Sequence, residues 1–196
     1  ADNENYPLIQ SICKQSERMK NILNTVLNVR KMEVGQSTLH VQSIQLDEWA
    51  EQLISDFKPE ASVRGITLVY QPEPEIQTLC FDKEKCTTIL TNLLINALKY
   101  TPDESTISIS TRLSEDKRVR ISISDQGPGL KDVDTNNLFV RFYQGNNSRP
   151  GTGIGLSYSK ILVEQHGGNI GAYDNKNFGS PGATFWFELP LNTEPG

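Results

Sequence analysis

The sequence is poor in several features, and each shortage narrows what it can be. It has only three cysteines, Cys13, Cys80 and Cys86, with no Cys-x-x-Cys pair among them. Neither a disulfide framework nor a thiolate metal site is indicated, and free thiols in a reducing compartment are expected. No apolar run approaches the roughly 18–20 residues of a membrane span, and no signal peptide is read at the start. Positive charge is not in excess: 19 Lys and Arg stand against 24 Asp and Glu, a net charge of −5. A nucleic-acid binder takes its affinity from a basic surface, so this balance argues against one. A small anionic ligand remains open, because a few cations and backbone N–H groups suffice for phosphate. The Gly-x-x-x-x-Gly-Lys-[Ser/Thr] pattern occurs nowhere, which excludes a P-loop. The chain begins with Ala1 rather than Met and is read as a piece of a longer protein.

What is present suffices for one buried domain plus an appendage: 196 residues, 36% of them hydrophobic. Residues 7–33 read as one helix. Ile12, Met19, Ile22, Val26 and Val29 recur at spacings of three and four, broken only at Gln15, and Gly35 ends the pattern. Such a narrow seam suits a partner helix, though a lone amphipathic helix also docks on its own domain. Beyond Ser37 we expect a strand at 38–45 and a helix at 46–62 opened by Asp47, with Trp49, Leu53, Ile54 and Phe57 inward. Strands at 66–71 and 76–81 are joined through the Pro72/Pro74 turn. Asp82 should cap a helix reaching Tyr100, stopped by Pro102. Residues 105–113 and 119–124 alternate as a hairpin does. Residues 131–150 show no period, and a loop that long in a compact domain is usually functional or disordered. A helix at 154–166 ends on Gly167, and strands at 169–174 and 182–190 close the domain, with Ala183, Phe185, Phe187 and Leu189 on one face. The sum is an α+β fold, a mixed sheet covered by helices on one face.

Three segments carry chemistry. On the helix to Tyr100, Asn92, Asn96 and Lys99 fall within about 60° of one another, with Ile89, Leu90, Leu93, Leu94, Ala97 and Leu98 elsewhere. The plain alternative is a solvated face. Yet such faces favour Glu and Lys, whereas Asn is a mediocre helix former. Amide oxygens suit a hard cation, and an ammonium suits phosphate. Asp125-Gln-Gly127-Pro-Gly129 follows an apolar strand; alone it could be an ordinary turn. Gly151-Thr-Gly153-Ile-Gly155 opens a helix, where N–H groups unobstructed by Cβ can cradle phosphate. Its spacing is not the dinucleotide fingerprint.

Taken together, Asn92-Leu-Leu-Ile-Asn96-Ala-Leu-Lys99-Tyr100-Thr-Pro, Asp125-Gln-Gly127-Pro-Gly129, Phe139-Val-Arg-Phe142-Tyr and Gly151-Thr-Gly153-Ile-Gly155-Leu resemble the N, G1, F and G2 boxes of sensor histidine kinases, in that family's order and spacing. Ser16-Glu-Arg-Met and Leu27-Asn-Val-Arg-Lys-Met-Glu resemble the second helix of its dimerisation module. The resemblance implies a truncated dimerisation module at 1–36 and a catalytic ATP-binding domain at 37–196. The implied fold is a two-layer α/β sandwich of the Bergerat type, preceded by one amphipathic helix. The implied activity is transfer of the ATP γ-phosphate to a histidine on an upstream helix. ATP and Mg2+ are the implied ligands, and a response regulator receiver domain and a second copy of the parent protein the implied partners. The implied location is the cytoplasmic side of an inner-membrane sensor. The Arg30–Glu33 run and Phe142-Tyr-Gln144 are also similar to hybrid sensors.

Residue roles follow from that resemblance. Asp125 would accept the adenine amine, and Thr184 would lie near the base. Asn96 would offer its oxygen to Mg2+, supported by Asn92 one turn back. Lys99 would reach the phosphates and Tyr100 would pack beside the base. Gly127 and Gly129 would let the backbone pass the nucleotide. Gly151, Thr152, Gly153, Ile154, Gly155 and Leu156 would present N–H groups to the phosphates. Residues 131–150 would form a lid, anchored by Phe139 and Phe142, with Arg141 and Gln144 as candidate phosphate contacts. Neither His40 nor His166 is read as the phosphoacceptor: neither has the acidic residue that follows that histidine, and His166 ends a helix before a C-cap glycine. Two other functions compete, ATP hydrolysis as in gyrase and MutL, and a non-catalytic nucleotide scaffold. Those ATPases carry a water-activating glutamate where this chain has Asn92, and an amide cannot accept a proton.

Overall fold

A computed structural model describes residues 38–131, 133–144 and 152–191. The expected helix at 7–33, the 1–36 module and Cys13 lie outside the described residues. The elements are β1 (Val41–Gln45), α1 (Leu46–Val63), β2 (Thr67–Gln71), β3 (Thr78–Asp82), α2 (Lys83–Tyr100), β4 (Thr106–Leu113), β5 (Arg118–Ser124), a 3-10 turn at Asn137–Phe139, α3 (Gly155–Gln165), β6 (Asn169–Asp174), a second 3-10 turn at Asn175–Phe178, and β7 (Ala183–Pro190).

Five strands form one mixed sheet in the order β2-β4-β5-β7-β6. The β2/β4 pair is parallel and the rest are antiparallel, with Ile109 opposite Ile123 and Phe187 opposite Ile121. Alternation in β4, β5 and β7 sends Ile107, Ile109, Val119, Ile121, Ile123, Phe185 and Phe187 to one face, where all are buried. Helix α2 lays Ile89, Leu90, Leu93, Leu94, Ala97 and Leu98 into the same core. Each such aliphatic side chain contributes about 1.5–3 kcal/mol relative to exposure. The period-2 and period-3.6 patterns thus meet in one interior, as the sequence predicts.

The strands at either end of the Pro72/Pro74 turn part company. β2 joins the large sheet, whereas β3 pairs with β1 in a separate two-stranded ribbon. A short apolar segment next to a turn reads as a strand without naming its partner. Helix α1 also starts differently from expectation. Gln45 occupies its N-cap without a side-chain bond, and Asp47 instead accepts a hydrogen bond from the Tyr70 hydroxyl at 2.7 Å. Leu46, Trp49, Ala50, Ile54 and Ala61 are its buried residues, with Leu53 and Phe57 only half-buried.

Helix α2 is fixed at both ends, which matters because it carries the Asn and Lys candidates. At its start, Asp82 accepts the Lys85 N–H at 3.1 Å, as predicted. At its end, the Arg64 guanidinium donates to the carbonyls of Leu98 and Thr101, and to Asp103 at 2.8 Å. A cation on the last carbonyls complements the helix dipole. The sequence offers no local sign of this latch, since Arg64 lies 34 residues before Leu98.

Candidate functional site

The four motif segments converge. Midway along α2, the Asn92 amide nitrogen donates to the Gly155 carbonyl at 3.2 Å and the Ser159 hydroxyl at 3.1 Å, joining α2 to the start of α3. At its C-terminal end, a Cβ on Gly127 would lie 3.0 Å from the Tyr100 carbonyl oxygen, so α2 abuts the loop after β5. The Phe142 N–H donates to the Gly153 carbonyl at 2.8 Å, tying the segment after the first 3-10 turn to the entry of α3. Gly153 has φ +67°, and a Cβ there would sit 2.7 Å from the Phe142 carbonyl carbon, so only glycine fits.

Asn92 and Asn96 differ. The two hydrogens of the Asn92 amide are spent on α3, which leaves its Oδ1 as the unused end. Asn96, half-buried one turn later, has no hydrogen-bond partner among the described residues. Lys99 holds its ammonium 4.7 Å from the Tyr100 ring centroid, a cation–π contact. These groups share one side of α2, two amide oxygens and an ammonium.

Helix α3 starts with Ile154 at the N-cap and no side-chain cap, with no acidic residue in the first turn. Its first N–H groups therefore carry uncompensated positive partial charge, the arrangement that suits phosphate. Thr152 Oγ1 accepts the Ile154 N–H at 3.3 Å and shapes the turn into the helix. Gly151 lies outside the described residues. Arg141 and Gln144 are both exposed in the segment before the undescribed stretch.

Asp125 is buried, at 4% exposure. Its Oδ1 accepts the Gly127 N–H at 2.8 Å and the Ala183 N–H at 3.2 Å, so Oδ2 remains for a ligand. Burial pushes its pKa above the usual carboxylate range; the two N–H bonds pull it down and the nearby Asp174 pushes it up. Thr184, buried beside it on β7, was expected near the base and is in contact with the residues that hold Asp125.

Two residues that sequence reasoning missed frame this corner. Asp174 accepts the Leu130 N–H at 2.9 Å and the Lys176 N–H at 2.9 Å, clamping the loop after Gly129 to the end of β6. A Cβ on Gly129 would lie 3.0 Å from both Asp174 carboxylate oxygens, so this glycine makes room for the clamp. Asn175, also buried, follows it and reaches Asp125 and Thr184. The two expected lid anchors differ in burial. Phe139 is buried, but Phe142 sits at φ +64° and is 69% exposed. Its backbone is recruited to pair with Gly153, which turns the ring outward.

His166 is structural. Its Nδ1 lies 2.7 Å from the Leu162 carbonyl and its Nε2 3.2 Å from the Asp82 N–H, so Nδ1 carries the proton and Nε2 accepts. Burial lowers its pKa, outweighing the Leu162 bond and the Asp82 charge that favour protonation. A histidine harder to protonate folded than unfolded contributes stability above its unfolded pKa, and that stability is lost as pH falls below it. The urea midpoint should therefore drop between pH 7.5 and 5.5, and His166→Gln should flatten that dependence. An equal drop in the variant would assign the effect elsewhere. The partners of His166 in this end of the fold are Asp82, Lys85 and Cys86, the last with its sulfur 3.7 Å from Nε2. Cys80 and Cys86 are free and buried. Among the described residues no cluster of three or more His, Cys, Asp and Glu could hold a metal, and no helix is long and apolar enough to cross a membrane.

Comparison with known proteins identifies the family. Sensor histidine kinase TmoS of Ectopseudomonas mendocina is 35% identical over 178 residues, covering 89% of this chain and 18% of that protein. Sensor histidine kinase ZraS of Klebsiella oxytoca is 28% identical over 192 residues, covering 98% of this chain and 40% of that protein. The chain thus spans less than half the length of these relatives. Among solved structures, full-length ShkA in complex with AMPPNP superposes with a TM-score of 0.84 at 24% identity, over 98% of this chain and 40% of that one. Histidine kinase ThkA in complex with the response regulator TrrA superposes with a TM-score of 0.77 at 21% identity, over 100% of this chain and 54% of that one. The family described as "Histidine kinase-, DNA gyrase B-, and HSP90-like ATPase" matches residues 81–193, from the end of β3 through β7, and the chain belongs to that family, with sensor histidine kinases as its relatives.

Proposed function

We propose that this chain is the catalytic domain of a two-component sensor histidine kinase, which binds Mg2+–ATP and presents the γ-phosphoryl group to a histidine of a dimerisation module. One observation carries the reading furthest. Asn92, through α2, abuts the uncapped start of α3, while the far end of the same helix abuts the loop of the buried Asp125. On this reading a cation site, a phosphate cradle and a base-reading carboxylate lie along one helix. We read residues 1–36 as part of the dimerisation module and 37–196 as the catalytic domain.

The residues present fit the metal. Asn96 is a half-buried carboxamide without a side-chain partner among the described residues, and Asn92 has its oxygen left over; two neutral amide oxygens suit a small hard cation that keeps most of its waters and binds substrate phosphates. Bound there, Mg2+ would supply charge neutralisation for the phosphates. The chain's own part is positioning: Lys99 and the first N–H groups of α3 hold the phosphates, and Asp125 fixes the base. The position where the hydrolysing relatives of this fold carry a glutamate holds an amide here. Asn92 cannot accept a proton, and both its hydrogens are engaged, so hydrolysis is the weaker reading.

A phosphoacceptor helix, a receiver domain that takes the phosphate, a homodimer, and placement on the cytoplasmic side of an inner-membrane sensor belong to the same proposal. ThkA, solved with its response regulator, supports the second of these. The test uses γ-labelled ATP and a longer piece of the parent protein that includes the helix preceding this chain. Acid-labile label on that piece supports the kinase; brisk phosphate release without labelling would favour an ATPase.

A further inference from the structure

Asn175 stands one residue beyond β6, is buried, and makes four side-chain contacts that cross three strands. Its Nδ2 lies 2.9 Å from the Ser124 hydroxyl and 3.2 Å from the carbonyls of Asp125 and Pro181. Its Oδ1 lies 2.6 Å from the Thr184 hydroxyl, which in turn lies 3.0 Å from the Ser124 hydroxyl. Its own backbone N–H donates to the Gly182 carbonyl at 3.0 Å, holding it against β7.

The hydrogens in this cluster can be assigned by counting. A carboxamide oxygen has no hydrogen, so the 2.6 Å contact uses the Thr184 hydrogen. Thr184 has no second hydrogen, so the Ser124 hydroxyl must donate in the 3.0 Å contact. Ser124 in turn accepts from Asn175 Nδ2. The three side chains close a ring in which Thr184 can only accept from anything outside it. Asp125 Oδ2, with its partner oxygen already occupied, is likewise an acceptor.

We propose that Asn175 is a specificity-positioning residue: by taking the Thr184 hydrogen and bracing the Asp125 carbonyl, it makes this corner of the site present acceptors only. A ligand edge that meets it must donate. The amine of adenine does so, whereas the oxo group of guanine and the bare edge of an unsubstituted purine do not. An aspartate at 175 would face three acceptors, and a serine could not span them; a carboxamide serves both ends. The proposal rests on the reading of Asp125 as the base contact.

The test is the ratio of affinities for ATP and for GTP, which carries an oxo group where adenine carries the amine, measured by calorimetry with Mg2+. The unaltered chain should prefer ATP by at least about tenfold. Asn175→Ala should narrow that ratio to within about threefold, because the freed Thr184 hydroxyl can turn to donate to the oxo group of guanine, a bond that the amine of adenine cannot accept. A merely structural residue would weaken both nucleotides alike and leave the ratio standing, and that result overturns the proposal. Asn175→Ser keeps a polar group in the pocket and should narrow the ratio too; it serves where Asn175→Ala does not fold. Equal affinities in the unaltered chain would instead remove the Asp125 reading, and this proposal with it.

Discussion

Asn96→Ala should abolish most phosphoryl transfer while leaving the fold intact. The side chain is half-buried and has no partner among the described residues, so its removal breaks no hydrogen bond of the domain. What it removes is the neutral oxygen proposed to hold the cation at the phosphates. Loss of one preorganised electrostatic contact of this kind typically costs about 10²–10³ in rate. In the longer piece proposed to carry the phosphoacceptor, labelling should slow by that factor, with an unfolding free energy within about 0.5 kcal/mol of the unaltered protein. Nucleotide affinity gives the decisive split. It should fall in the variant when Mg2+ is present and be equal in the two proteins when the metal is chelated. Equal labelling rates would take Asn96 out of the metal site.

Asp125→Asn should weaken ATP binding by roughly ten- to hundredfold, from the loss of a charge-assisted bond worth about 1.5–3 kcal/mol. The amide can still accept the Gly127 and Ala183 N–H groups through its oxygen, which places its NH2 where Oδ2 stood, facing the amine of the base. The stability effect should have the opposite sign. Burial raises the pKa of Asp125, so the folded state resists its ionisation, and stability is lost as pH rises through the interval between the unfolded and folded values. At neutral pH the neutral amide should therefore fold at least as well as the carboxylate. A variant that binds weakly because it is unfolded would contradict this, as would one that binds ATP normally.

The contrast between Asn96 and Asn175 shows which parts of the site the sequence carries. Asn92, Asn96 and Lys99 are legible because the helix period alone sets them on one side, and Asp125 because a strand end followed by glycines is a local signal. Asn175 acts through the register of β5, β7 and β6, where Ser124 pairs with Thr184 and Asp174 with Ala183. No local pattern marks it; in Asp174-Asn-Lys-Asn it reads as an ordinary turn. The only available signal was its place just after a strand and seven residues before Gly182-Ala-Thr184. The lid shows the same limit from the other side. Phe139 and Phe142 are alike in sequence, yet a pairing with Gly153 turns one outward while a 3-10 turn buries the other. Strand assignment also ran out where partner choice began, since β2 and β3 both read as strands but lie in different sheets.

Asp125, the α2 amides and the start of α3 are proposed to form one adenine nucleotide site. Titration calorimetry of this chain with non-hydrolysable analogues of ATP and GTP, each with Mg2+, tests that site. Saturable binding of the ATP analogue at one site per chain is expected, with at least about tenfold weaker binding of the GTP analogue. No saturable heat with the ATP analogue, or equal affinity for the two, would contradict it.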